Sequence, residues 1–346
     1  MTHFDQYIIS ESATIKDALI ALNNNSGDIL TLFAIDGEGR MVGSLSDGDI
    51  RRGLINGAQL SDAVSSVMLR TFKHLSDKKR EVTVIKEYKE KGIGLLPYLD
   101  KQGRIEKVYA LKHLESILPV DAVVMAGGKG ERLRPLTEKT PKPLLKIGDR
   151  TIIDRNIDRL ISNGIENIYV TTNYLGEQIE SHFSEPRLGT QIHCIREKTF
   201  LGTMGAVRNV KDFDNDTVLI MNSDLFTNIN LQDFYLHFKE SNADLSIAAV
   251  PYSVSIPYGI FDLEEDHVTG IREKPQYTYY VNAGIYLIRR ELIRYIPKDK
   301  VFGADDLIET LITEQHNVVR FPLLGYWIDI GKPEDFKKAQ EFAKHL

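Results

Sequence analysis

Cysteine is nearly missing: Cys194 is the only one in 346 residues, so no disulfide within the chain braces the fold. Such usage suits a reducing compartment. Cys194 has no neighbouring base except His193 and sits in an alternating run from Gln191 to Ile195, so it reads as a strand residue and not a nucleophile. Long apolar runs are missing as well. No stretch approaches the roughly 18 residues that a membrane-spanning helix needs. Met1–Ser10 lacks the charged start and apolar stretch of a signal peptide. These absences lead us to expect a cytoplasmic protein with no membrane partner. Positive charge is not in excess either: 43 Lys and Arg face 49 Asp and Glu, a net charge of −6, which argues against nucleic acid as a partner. What remains is ordinary for a globular protein, 42% hydrophobic and 27% charged. The length allows about two domains, each with its own core.

The first third has its own pattern. Ser12 to Leu19 reads as a capped helix start, Leu30–Ile35 as a strand, Asp36-Gly37-Glu38-Gly39 as a hairpin turn, Met41–Leu45 as a second strand, and Ser46 onward as a helix. A weaker version follows: helix Glu81–Lys91, strand Leu95–Leu99, turn Asp100–Gly103, strand Ile105–Ala110, and a helix from Leu111. A repeat of about 55 residues suggests two copies packed as one pseudo-symmetric unit. Leu118-Pro119-Val120 is a short seam without a Gly/Ser tract, placing domains at 1–118 and 119–346. From Asp121 on, short β-rich runs alternate with helical ones. Asp154–Asn163 precedes a strand at Ile168–Thr172, and Leu231–Lys239 precedes one at Leu245–Val250. That order predicts an α/β fold with a mostly parallel sheet, binding ligands at the carboxyl ends of its strands.

The densest chemistry lies where Val123-Val124-Met125-Ala126, a buried strand by pattern, empties into Gly127-Gly128-Lys129-Gly130-Glu131-Arg132. Glycines let backbone N–H groups approach an anion closely. Arg132, Arg134 and Lys142, the last within Pro141-Lys142-Pro143, add positive charge nearby. The loop is neither a Walker A nor a dinucleotide turn. Strand, glycine turn and converging cations together predict a polyphosphate site. Asp224 follows the apolar run Val218–Met221, so its carboxylate is expected at a sheet edge; a helix cap would use the same residue. Asp329 follows another aromatic-aliphatic run.

The N-terminal repeat resembles a cystathionine-β-synthase (CBS) domain pair, an α+β unit, on the strength of Phe33 to Gly43 and Ser46-Asp47-Gly48-Asp49. That resemblance implies an adenine nucleotide partner, with Ser46 and Asp49 matching the pattern that contacts ribose. Ala110-Leu111-Lys112-His113 in the second copy does not match, so one cleft is implied, not two. Ser46 and Asp49 equally suit a helix cap and its first turn.

The remainder resembles the sugar-1-phosphate nucleotidyltransferases, whose core is Rossmann-like. The resemblance rests on motifs in the family's order: the Gly-Gly-x-Gly-x-Arg-Leu loop, Pro141-Lys142-Pro143, Leu201-Gly202-Thr203, Asn222-Ser223-Asp224, Tyr258-Gly259, Glu273-Lys274-Pro275, Asn282 to Tyr286, and Trp327 to Gly331. It implies that Arg132 binds the outer phosphates of a nucleoside triphosphate and that Lys142 bridges to the sugar phosphate. Ala126, Gly127, Gly128, Gly130, Glu197, Gly202 and Thr203 would hold the nucleotide. Gly259, Glu273, Lys274 and Asn282 would hold the sugar phosphate, and Asp224 and Asp329 would hold Mg²⁺. Glu197-Lys198-Thr199-Phe200 is similar to the guanylyltransferase version of this segment, and a carboxylate can accept from both donors on guanine's edge.

The fusion of both parts resembles the glucosamine-1-phosphate guanylyltransferases of legionaminic-acid pathways, implying GTP and an amino sugar phosphate. UTP or dTTP with glucose 1-phosphate, or GTP with mannose 1-phosphate, are the alternatives within enzymes; an adenylate-sensing binding protein is the alternative outside them. Glu131, Ser223, Met204 and Lys332 depart from the family's usual residues without removing a cation or carboxylate. The chain shows no hexapeptide-repeat β-helix, so no coupled acetyltransferase of that kind is expected. The CBS resemblance also implies a homo-oligomer.

Overall fold

In a computed structural model that describes residues 4–25, 29–76 and 82–345, the chain divides into two units, Met1–Ile117 and Leu118–Leu346. In the first, β1 (Ile8–Ser10) pairs in parallel with β2 (Thr31–Ile35), which pairs antiparallel with β3 (Met41–Ser46). Helices α1 (Ile15–Asn24) and α2 (Asp47–Ile55) both start in capping boxes, Thr14 with Asp17 and Ser46 with Asp49. Their apolar stripes, Ile15, Ala18, Leu22 and Ile50 among them, pack with Leu32, Ala34 and Leu45 of the strands.

The second copy comprises α3 (Val82–Glu90), β4 (Leu95–Leu99) and β5 (Ile105–Ala110); Glu81, its expected first residue, lies outside the described residues. Its turn repeats the first in atomic detail. Asp36 accepts from the amides of Glu38 and Arg40 and from Arg40 Nε at 2.9 Å. Asp100 accepts from the amides of Gln102 and Arg104 at 2.8 Å and from Arg104 Nε at 3.0 Å. Arg40 and Arg104 bridge antiparallel, so equivalent turns meet about a local two-fold. Leu75 bridges Tyr98 in parallel as Ile9 does Ala34. The expected helix from Leu111 is only a short turn, Leu111–His113. Leu114 is already extended (φ −106, ψ 138), and Pro119 disfavours helix at its predecessor, so the run ends after one turn.

The second unit runs β6 (Asp121–Ala126), β7 (Lys146–Ile147), β8 (Arg150–Thr151), α4 (Ile152–Ser162), β9 (Ile168–Thr172), α5 (Gly176–His182), β10 (Ile192–Arg196), β11 (Thr217–Asn222) and β12 (Leu225–Thr227). It continues with α6 (Leu231–Glu240), β13 (Leu245–Ser255), β14 (Ile260–Glu264), β15 (His267–Arg272), β16 (Gln276–Arg289), α7 (Ala304–Thr313), β17 (Val318–Pro322), β18 (Trp327–Asp329) and α8 (Pro333–Ala343). Seven strands form one sheet in the order β10-β9-β6-β11-β16-β13-β17, with β16 antiparallel to both neighbours and the other pairings parallel. Strand order reverses between β6 and β11, which places a crevice at their carboxyl ends. Val123, Val218, Ile220 and Ile288 anchor the core beneath it, packed with Leu307 and Leu311. No helix among the described residues is long and apolar enough to cross a membrane.

The strand expected to end at Val250 continues to Ser255 because β16 stays paired with it. From Val250 opposite Val281 to Ser255 opposite Gln276, the two strands have only each other as ladder partners among the described residues. Beyond them β14 and β15 form a separate hairpin.

Candidate active site

Each glycine of the loop after β6 faces a different constraint. A Cβ on Gly127 would collide with the Glu197 carboxylate, so this position admits that side chain against the backbone. Gly130 is left-handed at φ 62 and packs against Thr137 and Lys142. Among the described residues, Gly128 has nothing within 4 Å of where its Cβ would be. The protein's own packing therefore does not require glycine there, whereas a ligand approaching the backbone would. The loop is braced by Thr137 Oγ1 donating to Gly130 O at 2.8 Å and by Tyr174 OH donating to Thr137 O at 3.1 Å.

This loop walls one side of a cavity of about 530 Å³ whose lining includes Arg132, Lys142, Phe200, Asp224 and Gly331. Arg132 is held by the turn Glu131–Leu133, anchored by buried Leu133, and its guanidinium lies over Gly331. Lys142 is buried despite its charge, and it forms an ion pair with Asp224 Oδ2. A buried cation of this kind persists only with a partner.

Asp224 lies not at a sheet edge, as its sequence setting suggested, but past the end of β11, a central strand between β6 and β16. The second carboxylate reaches it through a short ladder: β12 pairs antiparallel with β18, setting Leu225 opposite Asp329. Ile330 N donates to Asp224 O at 3.1 Å. Burial raises the Asp329 carboxyl above the ordinary carboxylate range, the charge of Asp224 adds to that, and Lys142 and Arg132 oppose it. Asp224 Oδ1 is buried with no hydrogen-bond partner among the described residues. An orphaned carboxylate oxygen beside a second, mutually repelling carboxylate is a donor set that fits a hard divalent cation, with substrate phosphates completing the shell.

Asn156 escaped the reading of the sequence. On α4, 2% exposed, its amide donates to Ser223 O at 3.2 Å and to Leu225 O at 3.0 Å, the carbonyls on either side of Asp224. A signal existed: Asn156 falls on the apolar face of α4, with Ile152, Ile153, Ile157 and Leu160. A polar residue on such a face needs a buried partner.

The remaining expected residues divide. Ala126 closes β6, opposite Thr172 on β9. Glu197 is 3% exposed; Oε2 accepts from Leu201 N at 3.0 Å while Oε1 faces Gly127. Burial raises its carboxyl and the Leu201 amide opposes the shift. Gly202 packs on the Phe302 backbone and Thr203 Oγ1 accepts from Ala304 N at 3.0 Å, so this segment caps the start of α7. Asn282 stays at the site's end of the sheet. Its amide donates to Tyr286 OH at 2.9 Å, and the next residue, Ala283, accepts from Trp327 Nε1 at 2.9 Å.

Gly259, Glu273 and Lys274 are not brought to the cavity. They sit beyond the ribbon, with Gly259 packed against Glu273, and Gln276 is separated from Asn282 by about 20 Å of strand. In the first unit, Asp49 Oδ2 accepts from Ser46 N and Ser46 Oγ, and Oδ1 pairs with Arg52. The cap and the Arg52 ion pair together occupy both of its oxygens. Burial pushes the Cys194 thiol up to about 11, which argues against a role as nucleophile.

Similarity to known proteins follows the second unit. A mannose-1-phosphate guanylyltransferase of Mycobacterium tuberculosis is 32% identical over 227 residues, 64% of this chain and 63% of that protein. The match with the bifunctional protein GlmU of Methanocaldococcus jannaschii, 31% identical over 64% of this chain, takes in 54% of the relative. The chain thus spans less than two thirds of these relatives. A D-glycero-α-D-manno-heptose 1-phosphate guanylyltransferase of Aneurinibacillus thermoaerophilus is 27% identical and is covered over 99% of its length, by 65% of this chain. Among solved structures, HddC of Yersinia pseudotuberculosis is 29% identical with a TM-score of 0.52, over 65% of this chain and 99% of its own. HddC has also been solved in complex with GMP-PN. Residues 121–345, the larger part of the sequence, match the family model for nucleotidyl transferases, and the chain belongs to that family.

Proposed function

We propose that the second unit transfers a nucleotidyl group from GTP to glucosamine 1-phosphate, forming GDP-glucosamine and pyrophosphate. One observation carries the reading: Arg132, Lys142, Asp224 and Asp329 converge, with Asp224 Oδ1 buried and unpaired. In this reaction an oxygen of the sugar phosphate attacks the α-phosphorus, and the bond to the β-phosphate oxygen breaks. The nucleophile is already anionic, so no general base is required. The cost lies in bringing two polyanions together and in charge growing on the leaving pyrophosphate.

Arg132, exposed at the cavity mouth, would meet that growing charge. Lys142, fixed by Asp224, would sit between the α-phosphate and the attacking phosphate and hold them in line. Asp224 and Asp329 are the residues that would hold Mg²⁺; such an ion supplies charge neutralisation on the phosphates. The amides of Gly128 and Gly130 would complete the phosphate cradle. GTP is favoured by the guanylyltransferase relatives and by Glu197, whose Oε1 is the oxygen left to accept from guanine. Asn282 would meet the sugar, while Gly259, Glu273 and Lys274 would serve it only after the ribbon moves. For the first unit we propose regulation by an adenine nucleotide, which would have to replace the bonds among Ser46, Asp49 and Arg52.

The test is pyrophosphate release by the full chain from GTP, UTP, dTTP and ATP against glucosamine, mannose, glucose and heptose 1-phosphates. The highest kcat/KM should belong to GTP with glucosamine 1-phosphate. Equal turnover of UTP would remove the guanine assignment, and a better sugar phosphate would replace glucosamine. No turnover with any pair would turn the reading toward a nucleotide-binding sensor. Calorimetry with AMP, ADP and ATP tests the first unit, and no heat with any of them ends that proposal.

A further inference from the structure

Phe200 is the one apolar side chain among the described residues that line the cavity; every other lining residue is charged or glycine. A single exposed apolar side chain is ordinary on a protein surface, but not on the wall of a pocket built for charge. The ring is 48% exposed, and among the described residues no aromatic ring or cation stacks on it. Its place does not follow from packing. Leu201, the next residue, is 4% exposed and serves as the apolar anchor of the segment. The backbone on both sides is fixed: Glu197 N donates to Thr172 O at 2.8 Å, Leu201 N to Glu197 Oε2 at 3.0 Å, and Phe302 N to Leu201 O at 2.9 Å. The ring is therefore held out from a short loop, Lys198 to Phe200, that is tethered at both ends.

In the reaction assigned above, on which this inference rests, cations and carboxylates make the α-phosphorus of GTP open to attack. They do so for any nucleophile. Water is smaller than a sugar phosphate, always present, and drawn in by charged walls. We propose that Phe200 makes the site select a sugar phosphate over water, its ring covering the bound triphosphate and denying water a line of attack. Apolar surface binds water weakly. Keeping water out also strengthens the pull of Arg132 and Lys142 on phosphate, because charge interactions grow as the local dielectric constant falls. The reaction that the ring prevents is hydrolysis. In it the oxygen of water bonds to the α-phosphorus, the bond to the β-phosphate oxygen breaks, GMP and pyrophosphate leave, and a proton passes to solvent.

The experiment compares the full chain as wild type, Phe200→Ala, Phe200→Gln and Phe200→Leu. Pyrophosphate release from GTP is measured with and without the sugar phosphate that wild type uses best, alongside the nucleotide sugar formed. Wild type should form one nucleotide sugar per pyrophosphate. Phe200→Ala should raise release without sugar phosphate at least about 10-fold and form less nucleotide sugar than pyrophosphate. In water enriched in oxygen-18 its GMP should carry the label, which locates the attack at the α-phosphorus. Phe200→Leu, still apolar and bulky, should restore the coupling. Phe200→Gln, similar in size but polar, should leak as Phe200→Ala does, and it repeats the test if circular dichroism finds the truncated variant unfolded. Intact coupling in folded Phe200→Ala or Phe200→Gln overturns the proposal. So does a Phe200→Leu as leaky as Phe200→Ala, which would mean that the ring stacks on substrate. A wild type that releases no pyrophosphate with any pair removes the assigned reaction and this inference together, so the two failures are told apart.

Discussion

Asp49 and Asp224 occupy similar settings in the sequence, each shortly after a strand and each with a serine close before it. Their surroundings differ in one respect that decides their use. Asp49 spends both oxygens inside its own unit, on Ser46 and Arg52, and is buried at 7% exposure with its hydrogen bonding satisfied. Asp224 spends one oxygen on Lys142 and keeps the other buried and bare. A satisfied carboxylate stabilises a helix start; an unsatisfied one costs stability, and the fold retains it by backing it with Asn156 and the β12–β18 ladder. The pair therefore separates a structural aspartate from one held ready for a ligand.

The sharpest way to break that contrast is to neutralise each in turn. Asp224→Asn should lower turnover by about 10³-fold, whereas Asp49→Asn should leave it within about twofold while lowering the melting temperature. Comparable losses of turnover in steady-state kinetics would erase the distinction. Next in size, Lys142→Ala should cost about 10² to 10³ in kcat, because it removes a cation aimed at charge that grows during the reaction. An effect confined to KM would mean that Lys142 only binds ground-state substrate.

Asn156→Ala should cost about 1–3 kcal/mol in denaturant unfolding by stripping two buried carbonyls of their donor, with a fall in turnover beyond any loss of folded protein. Ser46→Ala, which removes only a cap, should cost about 1 kcal/mol and leave turnover unchanged.

The smallest effect concerns pH. Because burial raises the Asp329 carboxyl, the folded state holds its proton at pH values where the unfolded chain has released it. Its contribution to stability is full below the unfolded value and is lost as pH rises through the folded one. Asp329→Asn should flatten that dependence and raise the melting temperature of the ligand-free protein at pH 7, even as activity falls. A melting temperature that drops on this substitution at pH 7 would contradict the assignment of a destabilising buried carboxylate.

How much of this was legible varies with how local the signal is. The glycine loop and the cations beside it could be read as a candidate phosphate site because a strand end, a φ requirement and a charge are all properties of a few adjacent residues; Asp224 alone suited a helix cap equally well. The β12–β18 pairing that brings Asp329 to Asp224 joins segments about a hundred residues apart, so physics alone gave no reason to pair them; the order of motifs did. Asn156 carried a visible mark, polar on an apolar helix face, but its partners are distant carbonyls. The extension of β13 past Val250 was not legible, because it depends on pairing with 276–281, which no local pattern states. At Leu111 a helical run misled, because the chain turns extended at Leu114 on its way to the strand at Asp121.

The central claim is that two acids and two cations surround one metal-triphosphate site. Mn²⁺ binding in the presence of GTP, followed by electron paramagnetic resonance, tests it without relying on turnover. Wild type should bind the ion together with the nucleotide, and Asp224→Asn with Asp329→Asn should weaken that binding by about 10- to 100-fold or more. Unchanged affinity in the folded double variant would contradict the account.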